Sequence, residues 1–214
     1  MVAANSSYPS RKSFPEMLSA WSRWVNSNRK GILYLHTTVS PRGGTGLNLA
    51  DVLDSLHLNW STLDDPDFER RQRARVIFPS QYRIWGGAYT EEDMARIYSS
   101  LDVLFMPSRS EGFGMPLLEA QACGVPVVTL NFSAMPELTF AGKCLPILQR
   151  EWTPLGVWRG LAGVDDLLDA IQWAEGIHEH PDLALSERAR KGAEDFAWDR
   201  IVENYWVPFL EELA

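Results

Sequence analysis

The chain has 214 residues, of which 45% are hydrophobic and 22% are charged, a balance typical of a globular protein with a buried core. Its 20 Lys and Arg residues are outnumbered by 28 Asp and Glu residues, and a net charge of −8 argues against a nucleic-acid partner because polyanions would be repelled. Cys123 and Cys144 are too few for a disulfide framework or a four-ligand metal site. With no membrane-length apolar run and no secretion signal, we expect a reduced, cytoplasmic protein.

Short apolar runs alternate with stretches of helical periodicity along the chain. The predicted strands, in order, are Met1–Ala4, Gly31–Val39, Arg75–Pro79, Val103–Met106, Val125–Leu130 and Lys143–Leu148. Helices are predicted from Phe14 with a capping box formed by Ser13 and Glu16, around Leu49–Leu58, after Thr90, and from Val164 to Ala174. This alternation indicates the α/β class, with a doubly wound parallel sheet of about six strands covered by helices on both faces.

The remaining segments complete the predicted organisation. The polar stretch Ser61–Arg75 is expected to be an exposed connection. The end of the chain is predicted to be a helical tail, broken near Trp198 and strained at Pro208. Its apolar stripe, which includes Trp206 and Phe209, needs a surface to cover. We therefore expect a Rossmann-like domain over residues 1–184 and a tail over residues 185–214, with the first strand at Met1 leaving no room for a preceding domain.

The segment Pro107–Pro126 lies between the fourth and fifth predicted strands. Pro116 suits the first turn of a helix and Gly124 ends it, so the helix is about eight residues long. Backbone N–H groups of Gly112–Met115 would point outward from the helix start, where the helix dipole favours an anion. Because Gly112 and Gly114 have no side chain, a diphosphate could approach the main chain closely. In a doubly wound sheet this loop lies at the carboxyl edge, where ligands bind.

Two carboxylates flank this predicted anion site. Glu119, which we place in the first turn of the helix, can accept hydrogen bonds from both hydroxyls of a ribose. Glu111 lies on the loop, on the other side of the expected phosphates. Two carboxylates around a phosphate cradle suit a ligand that carries hydroxyl groups at both ends of a diphosphate. Nucleotide sugars have this chemistry.

The run Glu111–Glu119 (EGFGMPLLE), with Pro107-Ser108 before it and Ala122–Val128 after it, resembles the signature of the retaining family-4 glycosyltransferases. Pro136-Glu137 and Phe196–Val202 also fit this family. These are two-domain GT-B enzymes, and the signature belongs to their C-terminal, donor-binding domain. The resemblance therefore implies a domain that binds a nucleotide diphosphate sugar as donor substrate, without metal or cofactor, in a chain that lacks the N-terminal acceptor domain.

The resemblance also implies roles for individual residues. Glu111 would contact donor-sugar hydroxyls at the catalytic centre, and Glu119 would hold the ribose. The distal phosphate would be bound by the backbone N–H groups of Gly112, Phe113, Gly114 and Met115. The family places an arginine and a lysine on the diphosphate; Lys12 fits the lysine, but no arginine stands at the other position. Arg11 is adjacent to Lys12 and, since chain neighbours face different ways, is expected at the surface.

Several alternatives remain open at this point. The chain could instead be a non-catalytic nucleotide-sugar-binding module, or a subunit that needs a partner domain or self-association through its C-terminal helix. Pro41–Leu49 fits a dinucleotide-binding loop poorly because Leu49 stands where the third glycine belongs. His178 and His180 lack further metal ligands. Side chains after the third strand could contact a nucleotide base: Tyr82, Arg83 and Trp85.

Overall fold

The computed structural model describes residues 9–27, 29–41 and 46–213. The predicted first strand, Met1–Ala4, lies outside the described residues, as do Arg42–Thr45 of the glycine-containing loop. The described strands are β1 (Leu33–Tyr34), β2 (Trp60–Thr62), β3 (Val76–Phe78), β4 (Leu104–Phe105), β5 (Val127–Leu130), β6 (Gly142–Leu145), β7 (Gln149–Trp152) and β8 (Trp158–Leu161). The helices are α1 (Phe14–Val25), α2 (Leu49–Ser55), α3 (Phe68–Arg73), α4 (Gln81–Trp85), α5 (Glu91–Ser99), α6 (Met115–Ala122), α7 (Val164–Glu179), α8 (Leu183–Glu194), α9 (Trp198–Ile201) and α10 (Val207–Glu212).

Six of the described strands are parallel and form two three-stranded sheets, in the orders β1-β3-β2 and β4-β5-β6. Val76 lies on the central strand of the first sheet and pairs with Leu33 and Trp60, while Val127 pairs with Leu104 and Gly142 in the second. Strands β7 and β8 form a separate antiparallel hairpin. The predicted α/β class with parallel strands is confirmed, although the described strands are divided between two sheets instead of one.

The segment Ser61–Arg75 contains regular structure that the sequence reading missed. Strand β2 ends inside it, and helix α3 follows with a cap in which Asp67 accepts a hydrogen bond from the N–H of Arg70. The helix itself has no buried residue, so the expected exposure is correct for that part. Strand β2 escaped prediction because it is three residues long and carries two hydroxyl side chains, one of which, Ser61, is fully buried and bonds Asp65.

The caps of α1 and α5 show one wrong and one correct prediction. Ser13 precedes α1 with a left-handed φ of 53° and its side chain makes no capping bond. Glu16 is instead paired with Arg109 at 2.6 Å, so the predicted capping box does not form. Thr90, in contrast, forms a full capping box with Asp93 at the start of α5. The buried guanidinium competes for the carboxylate of Glu16, which is a long-range effect that the local pattern does not contain.

A cavity of about 780 Å³ lies between the two parallel sheets. Residues of β1 and of the β4 region line it, and Trp21 and Trp24 of α1 contribute to its wall. Neither Lys12, Glu111 nor Glu119 is among the residues that line this cavity. The predicted anion site is therefore a separate, open feature at the carboxyl end of β4.

The C-terminal region is a series of helical segments, of which α8 has buried residues and the later ones have none. Helix α8 begins at Leu183, so the expected boundary after residue 184 falls inside a helix, and its buried Leu185 and Ala189 form a small cluster with Ala141. The helix ends at Glu194 and resumes at Trp198, followed by a π-helical turn over Val202–Trp206 and the proline-containing α10. Large apolar side chains of this final segment are exposed: Trp198, Tyr205, Trp206, Phe209, Leu210 and Leu213. Among the described residues, no helix combines the length and apolar character of a membrane span.

Candidate functional site

Helix α6 begins directly at the candidate anion site. Gly114 is its N-cap with φ of 107°, a left-handed conformation that favours glycine, and Pro116 occupies the first turn as predicted. The helix spans eight residues, and Gly124 follows its C-cap with φ of 81°. These two glycines and the proline fix both ends of a short helix from local sequence alone, which is why its length was predictable.

The loop ahead of α6 is accessible at Gly112, Phe113 and Met115, whereas Gly114 is buried. Gly112 is exposed, and a Cβ atom placed there would meet nothing within 4 Å. Phe113 and Met115 are also exposed, by 44% and 54%. No described residue accepts a hydrogen bond from the N–H groups of Gly112 to Met115. These donors are therefore unused by the described residues and lie at the positive end of the helix dipole, as an anion site requires.

A cluster of one carboxylate and two cations lies beside this loop. Lys12 Nζ donates a short hydrogen bond to Glu111 Oε1, and Arg11 Nη1 lies 2.6 Å from Glu111 Oε2. Lys12 and Glu111 are almost buried, with side-chain exposures of 6% and 10%, while Arg11 is 31% exposed. We call Arg11, Lys12 and Glu111 the cation–carboxylate triad. Its net charge of about +1 suits a second, external anion.

The position of Arg11 corrects the expectation that it faces away from Lys12. Both residues lie in a 3₁₀ turn over Pro9–Lys12, where the chain is not extended, and their long side chains converge on the same carboxylate. Arg11 also donates to the carbonyl oxygen of Ser110 at 3.1 Å. The one sequence signal for Arg11 was indirect. No arginine stands at the upstream position where the glycosyltransferase family usually has one, and a neighbouring arginine could replace it.

Opposing effects set the ionisation of the triad. Burial alone would raise the pKa of Glu111, but the hydrogen bond and charge of Lys12, with the charge of Arg11, hold it below its ordinary value. The pKa of Lys12 is lowered mainly by burial, against the raising effect of Glu111. Glu111 is thus a carboxylate at neutral pH, and its charge is neutralised by the two cations.

Glu119 is held by a different element. It is the fifth residue of α6, so it belongs to the second turn and not to the first turn as predicted. It is exposed, and its Oε2 accepts a hydrogen bond from the hydroxyl of Tyr98 on α5 at 2.5 Å. Residues four apart share a face of a helix, so Glu119 is on the same face of α6 as Met115. Along the chain, Glu111 therefore precedes the Gly112–Met115 donors and Glu119 follows them.

Arg109 anchors the loop that precedes α6, a role that was not predicted from the sequence. Its side chain is buried, with Nη2 at 2.6 Å from Glu16 of α1 and Nη1 at 3.1 Å from Glu151 of β7. Its backbone N–H donates to the carbonyl oxygen of Arg11, and its carbonyl accepts from the N–H of Gly160 in β8. The loop is consequently anchored to α1, to the triad turn and to the β7–β8 hairpin. An arginine a few residues after the buried strand β4 was the available sequence signal.

Two further contacts hold the exposed part of the loop. The N–H of Glu111 donates to Ser133 Oγ at 2.9 Å, so this donor is used internally. The ring of Phe113 packs edge-on against Phe196 at 6.2 Å between centroids, and Phe196 also contacts Phe140. The Phe113 side chain is thus directed toward the region after α8, while its backbone stays at the open face.

The suggested base-contacting residues differ in their surroundings. Tyr82 is 87% exposed and Trp85 is 44% exposed, on α4. Arg83 is already engaged, with an ion pair to Asp93 at 2.7 Å and its guanidinium over the Tyr89 ring. Within residues 9–27, 29–41 and 46–213, no group of three or more His, Cys, Asp or Glu side chains is arranged to hold a metal ion.

The fold is that of a Rossmann-like α/β domain, and its candidate anion site is the start of helix α6. Solved structures share the fold: a glycosyltransferase from Rickettsia africae has a TM-score of 0.63 at 15% identity, with 99% of this chain and 47% of that chain covered. The Anabaena HepE protein in complex with UDP-glucose has a TM-score of 0.60 at 14% identity, with 100% of this chain and 48% of that chain covered.

Sequence comparison gives the family. Residues 17–149, more than half of the chain, match the model of the family described as Glycosyl transferases group 1, and the chain belongs to this family. The D-inositol 3-phosphate glycosyltransferase of Actinosynnema mirum is 33% identical over 111 residues, which is 52% of this chain and 24% of the relative. The O-antigen chain mannosyltransferase B of Escherichia coli is 44% identical over 52 residues, or 24% of this chain and 14% of the relative. The chain thus spans less than half the length of these proteins, and the resemblance to glycosyltransferases drawn from the sequence is confirmed.

Proposed function

We propose that the chain is the donor-binding, C-terminal domain of a retaining family-4 GT-B glycosyltransferase. It binds a nucleotide diphosphate sugar whose sugar is transferred to an acceptor with the anomeric configuration retained. The observation that carries the proposal is the row of N–H donors at Gly112–Met115 that no described residue uses, with the triad before it in the fold and Glu119 after it on α6. The UDP-glucose complex of the structurally similar Anabaena protein supports this ligand class.

Each part of the ligand has a group that suits it. The diphosphate is bound by the N–H groups of Gly112–Met115 and by the cations of Arg11 and Lys12, because both offer hydrogen bonds and positive charge. Glu111 binds hydroxyls of the donor sugar, and Glu119 binds the ribose hydroxyls. The reaction would need no metal or cofactor, because fixed dipoles and cations face the charge that develops on the departing diphosphate.

The acceptor would be bound by another domain or chain. Support comes from the share of the similar proteins that this chain covers, which is 47% of the Rickettsia enzyme. The exposed apolar side chains of α10 and the preceding turn suit such a contact, or self-association of the chain.

If the chain self-associates through this surface, Phe209→Lys will lower the weight-average mass at high concentration in sedimentation equilibrium. An unchanged monomeric mass for both proteins would contradict self-association.

A non-catalytic nucleotide-sugar-binding module is the second candidate, favoured by the same partial coverage. The two candidates differ in turnover. Incubation with a donor sugar that binds should release free nucleoside diphosphate if the chain catalyses transfer or hydrolysis. Saturable binding without release, in the presence and absence of sugar acceptors, would favour the module.

The proposal is tested by a thermal-shift screen with UDP, GDP, ADP and their sugars, because a ligand that binds the folded state raises its apparent stability. One nucleotide series is expected to raise the unfolding midpoint. Glu119→Ala should weaken binding of that nucleotide by about 1.5–3 kcal/mol, the value of a hydrogen bond to a charged group, with little change in folding. Glu187→Ala, an exposed glutamate on α8, is the matched control. If no nucleotide shifts the midpoint, or if both variants bind equally well, the proposed site is wrong.

A further inference from the structure

Tyr98 and Glu119 form a link between α5 and α6 that the proposed function does not yet use. The Tyr98 side chain is buried, with 3% of the residue exposed, whereas Glu119 lies at the surface. The hydroxyl of Tyr98 donates to Glu119 Oε2 at 2.5 Å, a distance typical of a strong bond to a charged acceptor. A buried donor thus reaches outward to orient an exposed carboxylate.

The geometry leaves the carboxylate able to bind a ligand. Oε1 of Glu119 accepts no hydrogen bond from any described residue, and Oε2 keeps a second lone pair. Burial, together with the neighbouring carboxylate, raises the pKa of Tyr98, so the hydroxyl remains a donor throughout the neutral range. An exposed glutamate without such a partner would sample several rotamers and would lose that freedom on binding.

We propose that Tyr98 is a positioning residue for ribose recognition: it fixes the Glu119 carboxylate so that both oxygens face the two hydroxyls of a ribose, and it thereby selects ribonucleotides over 2′-deoxyribonucleotides. This inference rests on the proposed function, in which Glu119 binds the ribose. The proposal goes further, since it assigns the selection between two sugar classes to a residue on a neighbouring helix.

A purely structural role makes a different prediction. A buried phenol needs a hydrogen-bond partner, and Glu119 could serve only to satisfy it. In that case the loss of the hydroxyl would change thermal stability, or nothing, but it would not change which nucleotide binds better. The discriminating quantity is therefore the ratio of two affinities in the same variant, because an effect on folding cancels from the ratio.

The experiment uses the full chain and the nucleoside diphosphate of the panel UDP, GDP and ADP that binds most tightly, together with its 2′-deoxy counterpart. Dissociation constants are measured by calorimetry for the wild type, Tyr98→Phe, Glu119→Gln and the double variant. Ser22→Ala is the matched control, because it also deletes a buried hydroxyl, which donates to the Leu56 carbonyl in the α1–α2 contact. Thermal midpoints are recorded for each protein.

The wild type should prefer the ribonucleotide by roughly tenfold or more, as expected for a hydroxyl bound to a charged group. Tyr98→Phe should weaken ribonucleotide binding roughly 3- to 10-fold and deoxyribonucleotide binding much less, and the double variant should lose little beyond Glu119→Gln alone. A wild-type preference retained in Tyr98→Phe overturns the role of Tyr98 and leaves the proposed function intact. Absence of binding by every nucleotide to the wild type overturns both.

Discussion

The substitution Glu111→Gln tests the electrostatics of the triad most directly. It removes one negative charge from a group in which two cations share one carboxylate. The shape is nearly conserved, but the amide oxygen can accept from only one of the two cations, because the NH2 group is a donor. In the free protein the carboxylate neutralises the cations that, under the proposed function, bind the diphosphate. We therefore expect Glu111→Gln to bind a nucleoside diphosphate more tightly than the wild type does, although it deletes a residue of the proposed site.

The magnitude follows from Coulomb's law. A diphosphate on Arg11 and Lys12 would lie roughly 5 Å from the Glu111 carboxylate, since the two anions share the same cations. At an effective dielectric of roughly 40–80, suited to a partly open site, the repulsion is about 1–2 kcal/mol per unit charge. Removal of this repulsion corresponds to about fivefold to thirtyfold tighter binding. Without ligand, the free energy of unfolding of the variant should be lower than that of the wild type by about 1–3 kcal/mol. This is at or below the usual cost of breaking a buried ion pair, because Arg11 is partly exposed.

The assay is calorimetric titration with the nucleoside diphosphate that gives the largest thermal shift, and with the same nucleotide carrying its sugar. Because burial lowers the pKa of Lys12, a mildly acidic buffer is used, which favours its protonated form. Glu151→Gln is the matched control, because it removes the same charge from the neighbouring Arg109 network without touching the triad. In Glu111→Gln the attached sugar should add less affinity than it adds in the wild type. Weaker binding of the bare diphosphate would refute the reasoning and would show that Glu111 holds the cations in place for the ligand.

Two further predictions concern the loop and its pH dependence. Gly112→Ala should leave the thermal midpoint unchanged, because the added Cβ meets nothing within 4 Å, but it should weaken nucleotide binding measured by calorimetry. Gly114→Ala should lower the free energy of unfolding by about 1 kcal/mol or more, because φ of Gly114 is 107° and the added Cβ meets Leu117 at 3.2 Å. Equal effects of both on stability would contradict this. The fold lowers the pKa of Glu111, so its ion pairs stabilise the protein above the ordinary glutamate pKa and that stabilisation is lost as pH falls through the lowered value. The difference in midpoint between wild type and Glu111→Gln should therefore shrink in acid; a constant difference down to pH values below the Glu111 pKa would argue against ion-pair stabilisation.

The parts of the fold that the sequence predicted are those with local causes. Helix α6 was placed with its length and both ends, since Pro116, Gly114 and Gly124 act through backbone conformation within a few residues. Strand β5 was visible as an apolar run because all four of its residues are buried. The β7–β8 hairpin was not predicted, because β7 is exposed throughout and β8 buries only Arg159 and Gly160, which do not form an apolar pattern.

The parts of the site that escaped prediction depend on contacts between distant residues. Arg109 and Glu16 are 93 positions apart, and Arg11 and Glu111 are 100 positions apart. No periodicity or spacing encodes such pairs, so Arg109 was overlooked and Arg11 was expected to point away. Glu119 was placed one turn too early because helix numbering depends on where the N-cap falls, and Gly114 takes that position.

The anchoring of Arg109 has a consequence for protein engineering. Since its guanidinium bonds carboxylates of α1 and β7, and its peptide group bonds the chain at Arg11 and Gly160, the loop at Gly112–Met115 takes its shape from two distant stretches of sequence, residues 11–16 and residues 151–160. A transplant of residues 107–122 alone onto another scaffold would carry the glycines and the helix but leave a buried positive charge without its counterions. A working graft must bring α1 and the hairpin with it.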